Sequence, residues 1–435
     1  MAQIKYLYDE QFISDMVELI ESNSINFLLG AGFSAPLLGT LGNIEKVMEI
    51  IKKDKNNKYV ALESILYLKF FEECIYPIDQ HANKTDLKAQ IEFISMIKHI
   101  LNKRESATLH KQVNIFTTNY DVFLELSFEE ANIVYNDGFV GRIIPYFSTA
   151  HYNMIFEKQV LFSDRVTEIP IVNLFKIHGS ITWKKYSDSR FCYGDYKQSL
   201  NEFNTHVHEL IDTKKDEIRE IWEKVKGANW NEVNKLFIDE LLENFNVEDA
   251  DLNNIWKPLT KMYQESFKIV NPTKEKFSDT LLDKNYYELL RIYSNELEKN
   301  NVILMVFGFS FADEHIHEIT LRALNNPSLI MIIFAYQVKD INSFMDKFEL
   351  LNNVWIVTLD KEKNGSVIEG DETLCEEAET EETEEIEGGK NEEEVACAVQ
   401  ETKLDLMQLN KFLSSSILSK KFGKERETRY GYRNT

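Results

Sequence analysis

The sequence has few of the residues that mark disulfide-stabilised, collagen-like or membrane-embedded proteins. Its four cysteines, Cys74, Cys192, Cys375 and Cys397, never pair at the short spacing of a zinc site or a redox dithiol. Seven prolines and sixteen glycines in 435 residues are few, so long structureless stretches should be localised and rare. No apolar run approaches the ~20 residues of a membrane span, and the first residues mix charged and apolar types. We therefore expect a soluble, cytoplasmic protein with no membrane contact.

Negative charge is abundant, but it is concentrated in one segment. The net charge is −23, and residues 369–394 hold fourteen acidic side chains against one lysine, Lys390. Such a segment buries too little apolar area to fold, so residues 366–400 are predicted to be a disordered linker. The last 25 residues carry +5, a basic tail that is either solvated or able to contact phosphate. After the acidic segment, the apolar pattern of Thr402–Leu418 predicts an amphipathic helix. It docks on the core, on a sister subunit or on a partner.

Apolar runs rich in β-branched and aromatic residues recur along the chain, with helical patterns between them. The runs are nearly continuous in hydrophobicity, as expected for parallel strands covered on both faces. They are Ile25–Gly30, Val113–Asn119, Ile171–Gly179, Phe267–Asn271, Val302–Ser310, Leu329–Tyr336 and Val354–Asp360. This alternation predicts an α/β fold with a Rossmann-like parallel sheet flanked by helices.

The alternation stops between about residues 195 and 266, where the sequence is charged, aromatic and helical. We predict a core in two parts, residues 1–184 and 267–365, separated by a helical insertion at 185–266. The insertion is either a lid or specificity module, or a packed structural cap. The linker at 366–400 and a terminal helix with a basic tail at 401–435 follow.

The first strand-end motif contains Gly30, Ala31, Gly32 and Ser34. Glycines let a backbone approach a pyrophosphate, and free N–H groups at a helix start attract its charge. The third glycine of the usual dinucleotide fingerprint is missing, so a plain strand-to-helix turn is the alternative.

Two further motifs place polar residues at the ends of apolar strands, where parallel sheets bind ligands. Thr117, Thr118, Asn119 and Asp121 close one strand, and a helix cap is the alternative explanation for Asp121. His178, followed by a glycine, closes another and is suited to proton transfer near neutral pH. A structural histidine is the alternative there.

The fourth motif brings Gly308 and Ser310 to a strand end, and acidic residues then open a helix. Ser310 and nearby backbone groups are candidates to bond a ribose. A loop in which Asp313 caps the helix is the alternative.

Taken in order, GAGFS, TTNYD, KIHGS and GFSFADEH resemble the sirtuin-like domain, specifically its bacterial branch in anti-phage defence. The resemblance covers roughly residues 20–184 and 267–360. It implies that NAD is bound by Gly30, Ala31, Gly32, Ser34, Thr117, Thr118, Gly308 and Ser310. It further implies catalytic roles for Asn119, Asp121 and His178.

Departures from the family pattern indicate which reaction to expect. The interval that holds a four-cysteine zinc module in protein-deacylating sirtuins contains only Cys192, so no zinc is expected. Thr118 stands where those enzymes have glutamine. Water then replaces acyl-lysine as the acceptor, and the predicted function is NAD hydrolysis to nicotinamide and ADP-ribose, used for abortive infection. Asn119 would orient the ribose and a water, and His178 would bond a ribose hydroxyl and accept a proton. Asp121 would support Asn119 or the growing positive charge.

Other functions remain open at this point. They are an NAD-dependent deacylase with a replaced zinc module, a non-catalytic NAD or ADP-ribose sensor, and a nuclease. The family resemblance implies a homo-oligomer and a HerA-type ATPase partner, with nucleic acid reached only through that partner or the basic tail.

Overall fold

The computed structural model describes residues 1–39, 44–51, 56–104, 109–159, 161–162, 164–187, 190–213, 215–230, 233–243, 245, 247–270, 280–359 and 403–418. The chain forms two compact units. The first consists of Met1–Phe27, Lys103–Leu109 and Leu297–Thr435, and the second of Leu28–Asn102 and His110–Glu296. The predicted acidic linker at 366–400 and the basic tail beyond residue 418 lie outside the described residues.

Eight strands form a parallel sheet in the order β1-β14-β13-β12-β2-β3-β9-β4, with helices flanking it. The strands are β1 (Gln3–Tyr6), β2 (Ser24–Leu29), β3 (Gln112–Thr117), β4 (Val134–Asn136), β9 (Ile171–Lys176), β12 (Val302–Phe307), β13 (Leu329–Phe334) and β14 (Val354–Thr358). Every residue of β9 and β12 is buried, as the continuous apolar runs predicted. The predicted Rossmann-like α/β fold is confirmed.

Six of the seven predicted apolar runs are strands of this sheet, but the prediction for Phe267–Asn271 is wrong. There the described residues form only an isolated antiparallel bridge, between Ile269 and Gly179. The apolar character has another cause, because the Phe267 ring packs against Phe71 and Phe203. Sequence analysis missed β1 and β4 because each is short and partly exposed, which weakens its hydrophobic pattern.

The first unit contains β1, β12, β13 and β14 and four helices. These are α1 (Glu10–Ser22), α13 (Glu314–Ala323), α14 (Val338–Phe348) and α15 (Leu406–Phe412). Helix α1 begins where the Asp9 carboxylate accepts hydrogen bonds from the N–H groups of Gln11 and Phe12. Its buried residues, Phe12, Met16 and Ile20, repeat at helical spacing.

The predicted terminal amphipathic helix is α15, which continues as a π-helical segment at Leu413–Leu418. Its Phe412 ring stacks on Phe12 of α1 with ring centroids 5.7 Å apart. Just before it, the N–H of Leu404 donates to the carbonyl of Tyr336 at 3.0 Å. Of the three docking sites considered from sequence, the helix occupies the core of its own chain.

The second unit adds small antiparallel sheets to β3, β9 and β4. One has the order β10-β11-β6-β5, and the other pairs β7 with β8. Their bounds are β5 (Phe139–Val140), β6 (Tyr146–Phe147), β7 (Glu157–Gln159), β8 (Val166–Glu168), β10 (Trp183–Ser187) and β11 (Arg190–Tyr193). The segment predicted to be helical from residue 185 therefore begins with a β-hairpin, because the Trp183 ring packs on Phe147 and Phe191.

The helices of the second unit are α2 (Ile44–Ile51), α3 (Asn57–Phe70), α4 (Pro77–His81), α5 (Lys88–Lys103), α6 (Phe123–Glu130), α7 (Tyr196–Thr213), α8 (Lys215–Gly227), α9 (Lys235–Leu241), α10 (Asp249–Asp251), α11 (Lys257–Ser266) and α12 (Thr280–Leu297). Residues 196–266 are thus mainly helical where they are described, and they pack on α3. Ser64 of α3 donates to the carbonyl of Trp256, and Tyr67 stacks on Tyr263 with centroids 4.6 Å apart. Within the described residues, no helix combines the length and apolar composition that crossing a bilayer requires.

Candidate active site

The glycine turn after β2 is anchored to the core at Phe33. The chain makes one 3-10 turn at Ala31–Phe33, shorter than the helix start expected from sequence. Gln90 donates from Nε2 to the Phe33 carbonyl at 3.0 Å, and the Phe33 ring packs edge-on against Phe93. Gly30 is buried, whereas Ala31 is exposed and Gly32 is half-buried. The first N–H groups of such a turn have no acceptor within it, so the turn can present them to an anion.

The threonines at the end of β3, Thr117 and Thr118, tie this strand end to the glycine turn. The Thr117 hydroxyl donates to the Leu29 carbonyl at 2.9 Å and accepts from the N–H of Asn119 at 3.0 Å. The N–H of Thr118 also donates to the Leu29 carbonyl, at 3.3 Å. Thr117 is fully buried, so its hydroxyl shapes the loop rather than facing solvent.

Three buried polar side chains form a directed hydrogen-bond chain between the two loops. Asn119 donates from Nδ2 to the Gly30 carbonyl and to Ser34 Oγ, both at 3.0 Å. Ser34 in turn donates to Asp121 Oδ2 at 2.7 Å. Asn119, Asp121 and Ser34 are 7%, 4% and 3% exposed. The Asn119 amide is therefore held in one orientation, and among the described residues none donates to its Oδ1.

This arrangement gives Ser34 and Asp121 specific local functions. The single proton of the Ser34 hydroxyl is donated to Asp121, so in this structure the hydroxyl has no proton left to donate to a ligand. Asp121 also accepts a hydrogen bond from the N–H of Phe123, the first residue of α6, at 3.0 Å. The cap position of α6 is Val122, so Asp121 is not the helix cap; its carboxylate bonds the first helical N–H from one residue further back and also supports Asn119 through Ser34.

A buried ion pair underlies the loop. Lys176, the last residue of β9, pairs with Glu125 Oε1 at 2.8 Å and also donates to the backbone carbonyl of Asp121. Both side chains are about 95% buried, at 5% and 6% exposure. Burial raises the pKa of the Glu125 carboxyl to about 7, and the nearby Lys176 opposes that shift. Sequence analysis gave neither residue a function. The signal available in the sequence was a charged residue among apolar neighbours, Lys176 in a strand and Glu125 in a helix.

His178 lies on a loop that is bonded to the Asn119 loop on both sides. Ile177 donates its N–H to the Thr117 carbonyl at 2.9 Å, and Ile181 donates to the Tyr120 carbonyl at 3.1 Å. The His178 carbonyl accepts from the N–H of Val270 at 2.8 Å, and its half-buried ring lies 6.0 Å from the Tyr286 ring. Asn119 and His178 are thus brought to one end of the sheet.

The glycine after His178 is required by the backbone. Gly179 has φ of +77°, and a Cβ there would lie 2.3 Å from the Lys268 carbonyl oxygen. A residue with a side chain would be strained and would collide with backbone. The tight turn that directly follows His178 therefore requires glycine.

Gly308 and Ser310 belong to the first unit, after β12. Gly308 has φ of +65°, Ser310 is exposed, and Lys347 donates from Nζ to the Ser310 carbonyl at 2.6 Å. Asp313 caps α13 by accepting from two N–H groups, as the alternative interpretation of this motif predicted. Binding of an adenosine group by Gly308 and Ser310 stays a prediction.

The described residues contain no cluster of three or more His, Cys, Asp or Glu side chains arranged to hold a metal ion. Cys74 is buried and Cys192 half-buried, both as free thiols. Cys375 and Cys397 lie outside the described residues.

A family model for the SIR2-like domain matches residues 113–219 of the chain. The matched segment includes the Asn119 loop, the ion pair and His178, and covers less than half of the chain. No curated protein matches the sequence. Members of the SIR2-like family are NAD-dependent enzymes, so the match supports a sirtuin-like domain with an NAD-related enzymatic activity.

Proposed function

We propose that the chain hydrolyses NAD to nicotinamide and ADP-ribose at the loops that carry Asn119 and His178. The observation that carries the proposal is the fixed orientation of Asn119 inside the SIR2-like segment. Both Asn119 Nδ2 protons are used on protein acceptors, which leaves Oδ1 to accept a hydrogen bond from a ligand or water. An amide preorganised in this way loses little entropy when it orients a reacting group.

The chemistry fits these residues. The scissile bond joins a ribose carbon to a cationic pyridinium nitrogen, so the bonding electron pair leaves with neutral nicotinamide and no general acid is needed. Water forms the new bond to the same carbon, and its proton passes to the His178 imidazole. Asn119 Oδ1 orients the attacking water or a ribose hydroxyl. Asp121 acts at one remove, through Ser34 and Asn119, and is a positioning residue.

The glycine turn is suited to the pyrophosphate of the substrate. Ala31 is exposed and Gly32 half-buried, and the start of such a turn leaves N–H groups without acceptors, whereas the Ser34 hydroxyl is committed to Asp121. We assign phosphate binding to the backbone of the turn rather than to the Ser34 side chain.

The direct test is to incubate purified protein with NAD and to measure nicotinamide and ADP-ribose by chromatography. Asn119→Ala and His178→Ala should each reduce turnover by about a hundredfold or more while the fold is retained. His110→Ala is a matched control, because His110 is 61% exposed and pairs only with Glu168 among the described residues. It should leave turnover unchanged.

The outcomes separate the alternatives. If turnover of NAD requires an acyl-peptide, the activity is deacylation rather than hydrolysis. Binding of NAD without any turnover would identify a sensor. Turnover that survives both site variants would refute the residue assignment but not the activity.

The wider biological role is also a proposal. We infer that NAD hydrolysis here depletes the NAD pool of an infected cell, and that a homo-oligomer and a HerA-type ATPase control it. Adding a HerA-type ATPase to the purified protein should raise turnover. An unchanged rate over all stoichiometries would count against this form of control.

A further inference from the structure

Gln90 is a buried polar side chain that the proposed reaction does not use. It lies on α5 and is 3% exposed. Its Nε2 donates to the Phe33 carbonyl at 3.0 Å, whereas its Oε1 is buried and has no hydrogen-bond partner within the described part of the chain. A buried amide oxygen without a donor is unfavourable, and an apolar side chain of similar size would fill the same space without it. The bond to Phe33 is therefore what distinguishes glutamine at this position.

The Phe33 carbonyl depends on Gln90 because the backbone cannot supply a donor. In a 3-10 turn a carbonyl accepts from the N–H three residues further on. For Phe33 that residue is Pro36, which has no N–H. The next N–H along the chain, that of Leu37, donates instead to the Ser34 carbonyl at 3.0 Å. The side chain of Gln90 thus takes the place of a missing backbone donor.

Phe33 is the residue through which α5 holds the glycine turn. Its N–H donates to the Gly30 carbonyl at 2.9 Å and closes the turn. Its ring packs edge-on against Phe93, with ring centroids 5.4 Å apart. Gln90 and Phe93 lie three residues apart, on one face of α5, so the helix holds both the carbonyl and the ring of Phe33. The N–H groups at the start of the turn immediately precede Phe33, and their direction depends on where it is held.

We propose that Gln90 is a positioning residue that keeps the glycine turn in the conformation that binds the pyrophosphate of the substrate. This inference rests on the proposed function, which assigns the turn to NAD. Asn119 is held separately, by its bonds to the Gly30 carbonyl and to Ser34. Loss of the Gln90 bond should therefore weaken phosphate binding, because the turn must then be ordered when the ligand binds, and should affect the chemical step less.

Gln90→Met tests this by removing the donor while keeping the size of the side chain. It exchanges one unpaired buried oxygen, Gln90 Oε1, for another, the Phe33 carbonyl, so the melting temperature should change little. The KM for NAD and the Kd of ADP-ribose, measured by calorimetry, should each rise about tenfold, while kcat changes by less than about threefold. Inhibition by nicotinamide, which has no phosphate, should be unchanged. Glu92→Met is the matched control, because Glu92 is exposed on the same helix.

Gln90→Glu provides a measurement that a purely structural function would not change. The protonated carboxyl can donate to the Phe33 carbonyl, and the carboxylate cannot. Buried glutamates have pKa values raised to ~8–9. The KM of this variant, divided by that of the wild type at the same pH, should therefore be near one at pH 6 and rise severalfold by pH 9. Gln90→Met has no proton to donate, so its KM ratio should be raised equally at both pH values.

The outcomes distinguish this inference from the proposed function. Wild-type affinity of Gln90→Met for ADP-ribose, or a KM ratio for Gln90→Glu that is the same at pH 6 and pH 9, would overturn the positioning function. The calorimetry needs no turnover, so its result for Gln90→Met decides the inference even if NAD is not hydrolysed. Wild-type protein that neither binds ADP-ribose nor consumes NAD would overturn the proposed function, and this inference with it.

Discussion

Replacing Lys176 with methionine should destabilise the protein in a pH-dependent way. Methionine keeps most of the apolar stem but removes the cation that pairs with Glu125 Oε1 and the donor to the Asp121 carbonyl. A buried carboxylate without its cation is costly, and its pKa rises until it stays protonated. The size of the effect therefore depends on whether Glu125 is ionised.

The magnitude follows from the pKa of Glu125. In the folded wild type it is about 7, raised by burial and lowered by Lys176, against about 4.3 in an unfolded chain. Between about pH 4.3 and 7 the folded state holds this proton and the unfolded state does not, so the free energy of unfolding falls as pH rises. Above pH 7 both states are ionised and this group causes no further change. Without Lys176 the pKa of Glu125 should rise further, because isolated buried glutamates have values of ~8–9. The loss then continues above pH 7, at about 1.4 kcal/mol per pH unit.

The variant should consequently lose about 2 kcal/mol more stability at pH 8.5 than at pH 6 relative to the wild type. Urea unfolding at both pH values measures this, followed by tryptophan fluorescence. Four of the five tryptophans belong to the second unit, which makes the signal report mainly on the unit that holds the pair.

Two comparisons complete the experiment. Glu125→Gln combined with Lys176→Met removes the titrating group, so the extra loss at pH 8.5 should disappear. Lys98→Met is a matched lysine control, since Lys98 bonds only backbone carbonyls of Ala131 and Asn132 among the described residues. Its effect should be equal at both pH values. An equal loss for Lys176→Met at pH 6 and pH 8.5 would refute the reasoning about Glu125.

Three further substitutions test other parts of the structure. Gly179→Ala should lower the free energy of unfolding by about 2 kcal/mol or more, because alanine is strained at the left-handed φ and its Cβ collides with the Lys268 carbonyl oxygen. An unchanged urea midpoint would contradict this. Ser34→Ala should reduce nicotinamide release about tenfold in protein that still folds, since Asn119 loses its link to Asp121. Wild-type kcat would rule out the positioning function. Phe412→Ala should cost about 3–5 kcal/mol and expose α15 to limited proteolysis, whereas an unchanged digestion pattern would show that the Phe12 stacking is dispensable.

The sequence by itself determined the fold class and the loops of the candidate site. Six apolar runs predicted strands of the parallel sheet because burial on both faces leaves a continuous hydrophobic signature. The same runs located the GAGFS, TTNYD and KIHGS motifs at strand ends, and parallel strands bring their carboxyl ends to one edge. Phe267–Asn271 shows the limit of that signal, since an apolar run that packs on Phe71 looks the same as a strand.

Only the tertiary structure decided how the polar side chains of these loops are used. That Ser34 bonds Asp121 and Asn119, that Lys176 meets Glu125, and that α15 packs on α1 depend on residues far apart in the chain. Hydrogen bonds and ion pairs act over a few ångströms and leave no periodic trace in the sequence, whereas burial of whole strands does. The strands could therefore be read from local composition, and the hydrogen-bonded arrangement around Asn119 could not.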